Sequence, residues 1–117
     1  YGINVTDLAA TARFYDAVLG VMGFTRQMDF GEAIGYGTDG HPDFWISAGQ
    51  PNRPPVHVAF RVRSRARVDA FHRAALAAGG RDNGAPGLRP HYHAHYYGAF
   101  VLDPDGHNIE AVCHTPE

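Results

Sequence analysis

Residues 57 positions apart match along much of this chain, and that repetition limits the fold more than any composition figure does. Ile3 pairs with Phe60, Val5 with Val62, Asp7 with Ser64, Phe14 with Phe71 and Gly23 with Gly80. A second echo, at a spacing of 66, sets Asp39-Gly40-His41 against Asp105-Gly106-His107, each a turn just ahead of a strand. Self-similarity of this kind marks an internal duplication, so the chain reads as one unit built twice. Its 117 residues suffice for one core that hides roughly two-thirds of the surface exposed on unfolding. They are too few for several large domains.

The first copy opens on a short β-prone segment over 2–6. Asp7 to Gly20 then carries Leu8, Thr11, Tyr15, Val18 and Leu19 at helical spacing, with Thr6 or Asp7 as the N-cap and Gly20 in the left-handed position past the end. Glycine-punctuated β-prone runs follow over 24–29, 33–36 and 44–47. The prolines of 51–55 make that stretch a linker between modules 1–50 and 56–117 of a single domain.

In the second copy, 56–62 alternates as a strand, Ser64 caps a helix carrying Val68, Phe71, Ala75 and Ala78, and Gly79-Gly80 stops it. Strands over 97–102 and 108–114 are joined by the turn Asp103-Pro104-Asp105-Gly106. Ala85 to Tyr96, with Pro86, Gly87 and Pro90, reads as a loop. The unit is therefore strand, helix and three strands, an α+β plan of two tandem βαβββ modules.

Composition removes several functions. No apolar run approaches the roughly 20 residues of a membrane helix, and no basic, hydrophobic leader opens the chain, so the expected compartment is the cytoplasm. A net charge of −2 argues against a nucleic-acid partner, which requires a concentrated basic face. All ten cations are Arg, which excludes Schiff-base lysines and the phosphate-loop lysine. Cys113 is the single cysteine, so there is no intrachain disulfide or multi-Cys zinc site, and its parity places it in the core. Ser47 and Ser64 lie in no Gly-x-Ser-x-Gly turn, and no glycine-rich phosphate loop follows a strand.

What remains is an imidazole-rich chain with eight His and the three glutamates Glu32, Glu110 and Glu117. In 56–62, Val56, Val58, Phe60 and Val62 form one apolar face, which leaves His57, Ala59 and Arg61 on the other. On the last strand Ile109, Ala111 and Cys113 are the apolar set, so Asn108, Glu110, Val112 and His114 share the opposite face. Glutamate is disfavoured in mid-strand unless something stabilises it, and a metal or a positive partner would do so. A neutral imidazole with a carboxylate suits a borderline divalent metal.

The two-copy plan, Asn4-Val5-Thr6-Asp7-Leu8 leading to Phe14-Tyr15-Asp16-Ala17-Val18-Leu19-Gly20, and Asp103-Pro104-Asp105-Gly106-His107-Asn108-Ile109-Glu110 together resemble the vicinal-oxygen-chelate superfamily. It comprises glyoxalases, extradiol dioxygenases, and fosfomycin- and bleomycin-resistance proteins. The resemblance covers nearly the whole chain and implies a cupped mixed sheet holding a divalent metal, either Zn, Ni, Mn or Fe, that chelates neighbouring oxygens of a small substrate. It also implies a homodimer, modules pairing within or between chains. His57 matches the family's His at the start of the second copy and Glu110 its Glu in the last strand. The remaining ligand would be a His immediately before Tyr1, the position onto which the spacing of 57 also maps His57.

Two departures narrow the reaction. The fourth glyoxalase I ligand would fall near Phe44-Trp45, and neither side chain binds metal. The Tyr found ten residues before the Glu in extradiol and fosfomycin-type members is Phe100 here. The resulting expectation is a metal-dependent lyase or isomerase of the glyoxalase type, with a dioxygenase less favoured and the ion acting as a Lewis acid. Glu110, Tyr97 and His95 are the candidate catalytic groups, the last two for proton transfer. Trp45, Arg61, Phe100, His93 and Tyr96 are expected to line the substrate pocket, Arg61 to hold a carboxylate or phosphate substituent. The run His91, His93, His95 reads as a polar, aromatic lid, with a separate metal site as the other reading. His114 lies about 13 Å along the strand from Glu110 and reads as a rim residue. The alternative function is a metal-free small-molecule-binding protein of the bleomycin-resistance kind, with Trp45, Phe100, Tyr96 and Tyr97 as aromatic walls.

Overall fold

The computed structural model describes residues 1–116. Module 1 runs β1 (Gly2–Val5), α1 (Leu8–Gly20), β2 (Thr25–Asp29), β3 (Ala33–Thr38) and β4 (His41–Ala48). Module 2 repeats this as β5 (His57–Arg61), α2 (Arg65–Ala77), β6 (Arg81–Leu88), β7 (Tyr97–Leu102) and β8 (Asn108–Cys113). Each module folds into its own four-stranded sheet, in the orders β1-β4-β3-β2 and β5-β8-β7-β6. In both, the first strand pairs in parallel with the last, and the remaining ladders are antiparallel. The duplication in the sequence is thus a duplication of topology.

Local chemistry explains the boundaries. Asp7 accepts the amide of Ala10 at 3.1 Å and Ser64 that of Arg67 at 3.2 Å, so matched positions of the two copies cap the two helices. The stop of α1 differs from expectation. Gly20 remains helical, and Gly23, with φ +93°, makes the left-handed turn after it. Asp39 and Gly40 both take positive φ, as a two-residue hairpin turn between β3 and β4 demands.

The expected loop over 85–96 is corrected as well, because 85–88 belong to β6. This is an edge strand whose ladder to β7 is irregular, and Pro86 sits between the paired positions Gly84 and Gly87. A proline is tolerated there because no ladder hydrogen bond is lost.

The modules share one core. Phe14, Tyr15 and Phe44 of module 1 are fully or nearly fully buried, and Phe60 of module 2 meets Phe44 edge-on at 5.3 Å. A Cβ on Gly80 would stand 2.6 Å from Phe14 Cε1 and 2.9 Å from the Ala75 carbonyl, so the two modules come this close only because the residue is glycine. Gly80→Ala is expected to destabilise the fold by about 2 kcal/mol in a denaturant titration.

The turn between β7 and β8 is a second tie. Tyr15 donates to the buried Asp103 at 2.6 Å, and Thr6 donates to Asp105 through both its amide, at 3.0 Å, and its hydroxyl, at 2.5 Å. No described helix is long and apolar enough to cross a membrane.

Candidate functional site

In the parallel ladder β5 to β8, Ala59 stands opposite Glu110, and Phe100 of β7 flanks Glu110 from the other side. Ile109, Ala111 and Cys113 are fully buried under α2, which turns Glu110 to the helix-free face with His57. There His57 Nε2 lies 2.8 Å from Glu110 Oε1, and the Tyr96 hydroxyl donates to Glu110 Oε2. Glu110 is 1% exposed, although it lies on the face away from the core. Burial pushes its carboxyl above the ordinary carboxylate range, while the hydrogen bond and charge of His57 and the more distant Arg89 pull the other way.

Around this triad a pocket of about 330 Å³ is lined by His57, Tyr92, Tyr96, Phe100 and Glu110. The Phe100 ring sits 6.1 Å from the imidazole, and the Arg89 guanidinium lies over the other part of that wall, 5.6 Å from the Phe100 centroid. Gly98 keeps the wall close: a Cβ there would stand 3.1 Å from Tyr96 Cε1 and 3.5 Å from Glu110 Oε2.

The other residues singled out in the sequence divide. Tyr96, Phe100, His57 and Glu110 come together. His93 stands on the flank, its ring 5.1 Å from Tyr96 and its Nε2 2.6 Å from His114 Nδ1, so His114 is a rim residue beside it. Burial, with His93 and Arg61 nearby, holds the His114 pKa below its ordinary value.

Tyr97 is not at the site. It is one residue out of phase with Tyr96, and its hydroxyl donates to Asp69 of α2 at 2.7 Å on the core side. His95 is exposed, and no hydrogen bond or ring contact carries its imidazole to Glu110. Trp45 lies in the other sheet, stacked on Phe30 at 5.9 Å, and does not line this pocket. Arg61 faces a different cleft. Tyr92 and Arg89 were not anticipated, since neither lies in a regular element whose parity could aim it.

A borderline divalent ion fits the donors present, an imidazole nitrogen and a buried carboxylate. Among the described residues no third His, Cys, Asp or Glu joins them. The position immediately before Tyr1 lies outside the described residues.

The family model of the Glyoxalase/Bleomycin resistance protein/Dioxygenase superfamily matches residues 1–111. The chain belongs to this superfamily. Among its solved members, a glyoxalase/bleomycin resistance protein from Albidiferax ferrireducens T118 is 31% identical, with 97% of this chain and 95% of that one covered and a TM-score of 0.83. Two others show likeness of fold alone. A glyoxalase-related enzyme from Fulvimarina pelagi is 24% identical (97% and 84% covered, TM-score 0.74). A fosfomycin resistance protein from Mesorhizobium loti is 17% identical (97% and 88% covered, TM-score 0.71). No curated protein matches the sequence. The superfamily membership accounts for the duplicated βαβββ plan and leaves the reaction to be argued from the pocket.

Proposed function

We propose that this superfamily member is a divalent-metal-dependent enzyme of the glyoxalase type, acting on a small substrate with neighbouring oxygens, in which His57 and Glu110 hold the ion. The observation that carries the reading is a carboxylate buried in mid-strand and facing an imidazole across 2.8 Å in an aromatic pocket. Burying such a charge is costly unless a positive partner repays it. A bound Zn, Ni, Mn or Fe ion would supply Lewis-acid polarisation of two adjacent substrate oxygens.

The chain's own groups do the rest. Tyr92, Tyr96 and Phe100 exclude water from one side of the substrate. Tyr96 holds a proton at Glu110 Oε2 and is the hydroxyl placed for proton transfer, in place of the Tyr97 and His95 expected from sequence. Arg89 puts a positive charge beside the pocket, suited to an acidic substituent. Tyr1, Met28 and Phe30 expose apolar surface around Trp45 on the other sheet, which supports a homodimer.

One observation favours the metal-free binding protein instead: His57, Glu110 and Tyr96 already satisfy one another's hydrogen bonds. Elemental analysis of protein purified without a His tag or chelator separates the two readings. About one divalent ion per chain is expected, falling to about a tenth or less in His57→Ala. A wild-type protein that takes up no ion after reconstitution refutes the enzyme and leaves the binding protein.

A further inference from the structure

The cleft between the modules is larger than the pocket at Glu110, at about 500 Å³, and shares no lining residue with it. Module 2 contributes Arg61, Arg63 and Arg67, and module 1 contributes Gly23, Phe24 and Thr38. Local structure brings the three arginines together. Arg61 ends β5, and the buried Val62 turns the chain inward, its amide bonded to the Val112 carbonyl at 2.8 Å. Ser64 then starts α2, so Arg67 stands in its first turn. Across the cleft, Arg67 Nη1 lies 3.1 Å from where a Cβ on Gly23 would be, so the glycine that makes the left-handed turn after α1 also makes room for this guanidinium.

These three cations differ from others in the chain. Arg26 is held by both oxygens of Asp16 at 2.8 Å and by Asp29 at 3.2 Å, and Arg89 donates to the Ala85 carbonyl at 2.8 Å. Among the described residues, the guanidinium groups of Arg61, Arg63 and Arg67 have no carboxylate and no hydrogen-bond acceptor, and no acidic side chain lines the cleft. The first turn of α2 carries no acidic residue either, so the positive end of its dipole adds to the same field. In a chain of net charge −2, three of ten cations converging unpaired on one cavity is a local arrangement and not a consequence of general basicity. Converging like charges repel unless an anion joins them.

We infer that the cleft between the modules is a binding site for a small molecule bearing a phosphate or polyphosphate group, held by Arg61, Arg63 and Arg67 and separate from the pocket at Glu110. Guanidinium forks match phosphate oxygens in pairs. The Thr38 hydroxyl is a further donor at the wall, and Phe24 offers an apolar surface to the rest of the ligand. Arg61 is four residues from His57 on one strand, about 13 Å away, so one small anion cannot reach both sites.

Calorimetric titration of the full chain with pyrophosphate, in buffer without added metal, tests the assignment. One pyrophosphate per chain is expected, with affinity falling as salt rises. Arg63→Gln and Arg67→Gln should each weaken binding about tenfold and the double variant about a hundredfold, while Glu110→Gln binds as the parent does. All three arginines are on the surface of the cleft, and a thermal melt of each variant verifies that the fold is intact. Absence of saturable binding at millimolar pyrophosphate, equal affinity in the double variant, or loss of binding in Glu110→Gln would each overturn the assignment.

Discussion

Glu110→Gln is expected to remove the bound divalent ion while leaving the metal-free protein at least as stable as the parent. Glutamine matches the carboxylate in shape and keeps an oxygen to accept from Tyr96, and its amide can donate to His57 Nε2, so no buried polar atom is stranded. It lacks the negative charge that a divalent ligand set needs, and affinity should fall by at least about 100-fold. Stability should change by no more than about 1 kcal/mol at neutral pH, and in the favourable direction, because the cost of burying a carboxylate is gone.

The pH dependence sharpens the test. Burial holds the Glu110 carboxyl above its ordinary value, so in that window the folded protein binds more protons than the unfolded chain. The group's stabilising contribution is complete below the ordinary carboxylate value and is lost as pH rises through the raised one. The Gln variant does not titrate there. Denaturant titrations of metal-free protein should therefore show the variant gaining on the parent as pH climbs through and above the ordinary carboxylate range. Stoichiometric metal retained in the variant would refute Glu110 as a ligand.

Asp103→Ala should be the most destabilising single change outside the apolar core, at about 3 kcal/mol. The side chain is 2% exposed and accepts from the Tyr15 hydroxyl at 2.6 Å and from the amides of Asp105 and His107 at 2.9 Å each. Truncation strands all three donors and cuts one of the polar ties between the β7–β8 turn and module 1. Asp103→Asn keeps an acceptor for the amides and should cost about 1 kcal/mol. Tyr15→Phe in the Asp103→Ala background should add little, since the partner is already gone. Chemical denaturation of the parent, Asp103→Ala, Tyr15→Phe and the double variant measures this cycle. A loss below about 0.5 kcal/mol in Asp103→Ala would show that the tie contributes nothing.

Such an effect was hidden in the sequence, where Asp103-Pro104-Asp105-Gly106 reads as an ordinary turn. Turn chemistry is local, but burial of Asp103 under Tyr15 depends on residues 88 positions apart. The same division runs through the site. His57 and Glu110 were legible because each lies within a regular strand, where alternation fixes the face and the apolar neighbours declare which face is core.

Tyr96 and Tyr97 show where that reasoning stops. Tyr96 immediately precedes β7 and Tyr97 opens it, after a proline-containing segment and beside an irregular ladder, so no periodic neighbour set their phase. Sequence placed Tyr97 among the catalytic groups, and the fold turned Tyr97 to α2 and Tyr96 to Glu110. Arg61 had the parity of His57, yet the end of its strand opens onto the other module and takes the side chain into a different cleft.

The sequence by itself determined the duplicated βαβββ unit, the caps at Asp7 and Ser64 and the strand faces of His57 and Glu110, because each is decided by residues within a few positions. Only the tertiary structure decided that Tyr96 and not Tyr97 joins Glu110, that the β7–β8 turn grips module 1, and that three arginines meet unpaired. Those outcomes follow from how the two modules pack and how β6 slips against β7, and neither is encoded in any short stretch of the chain.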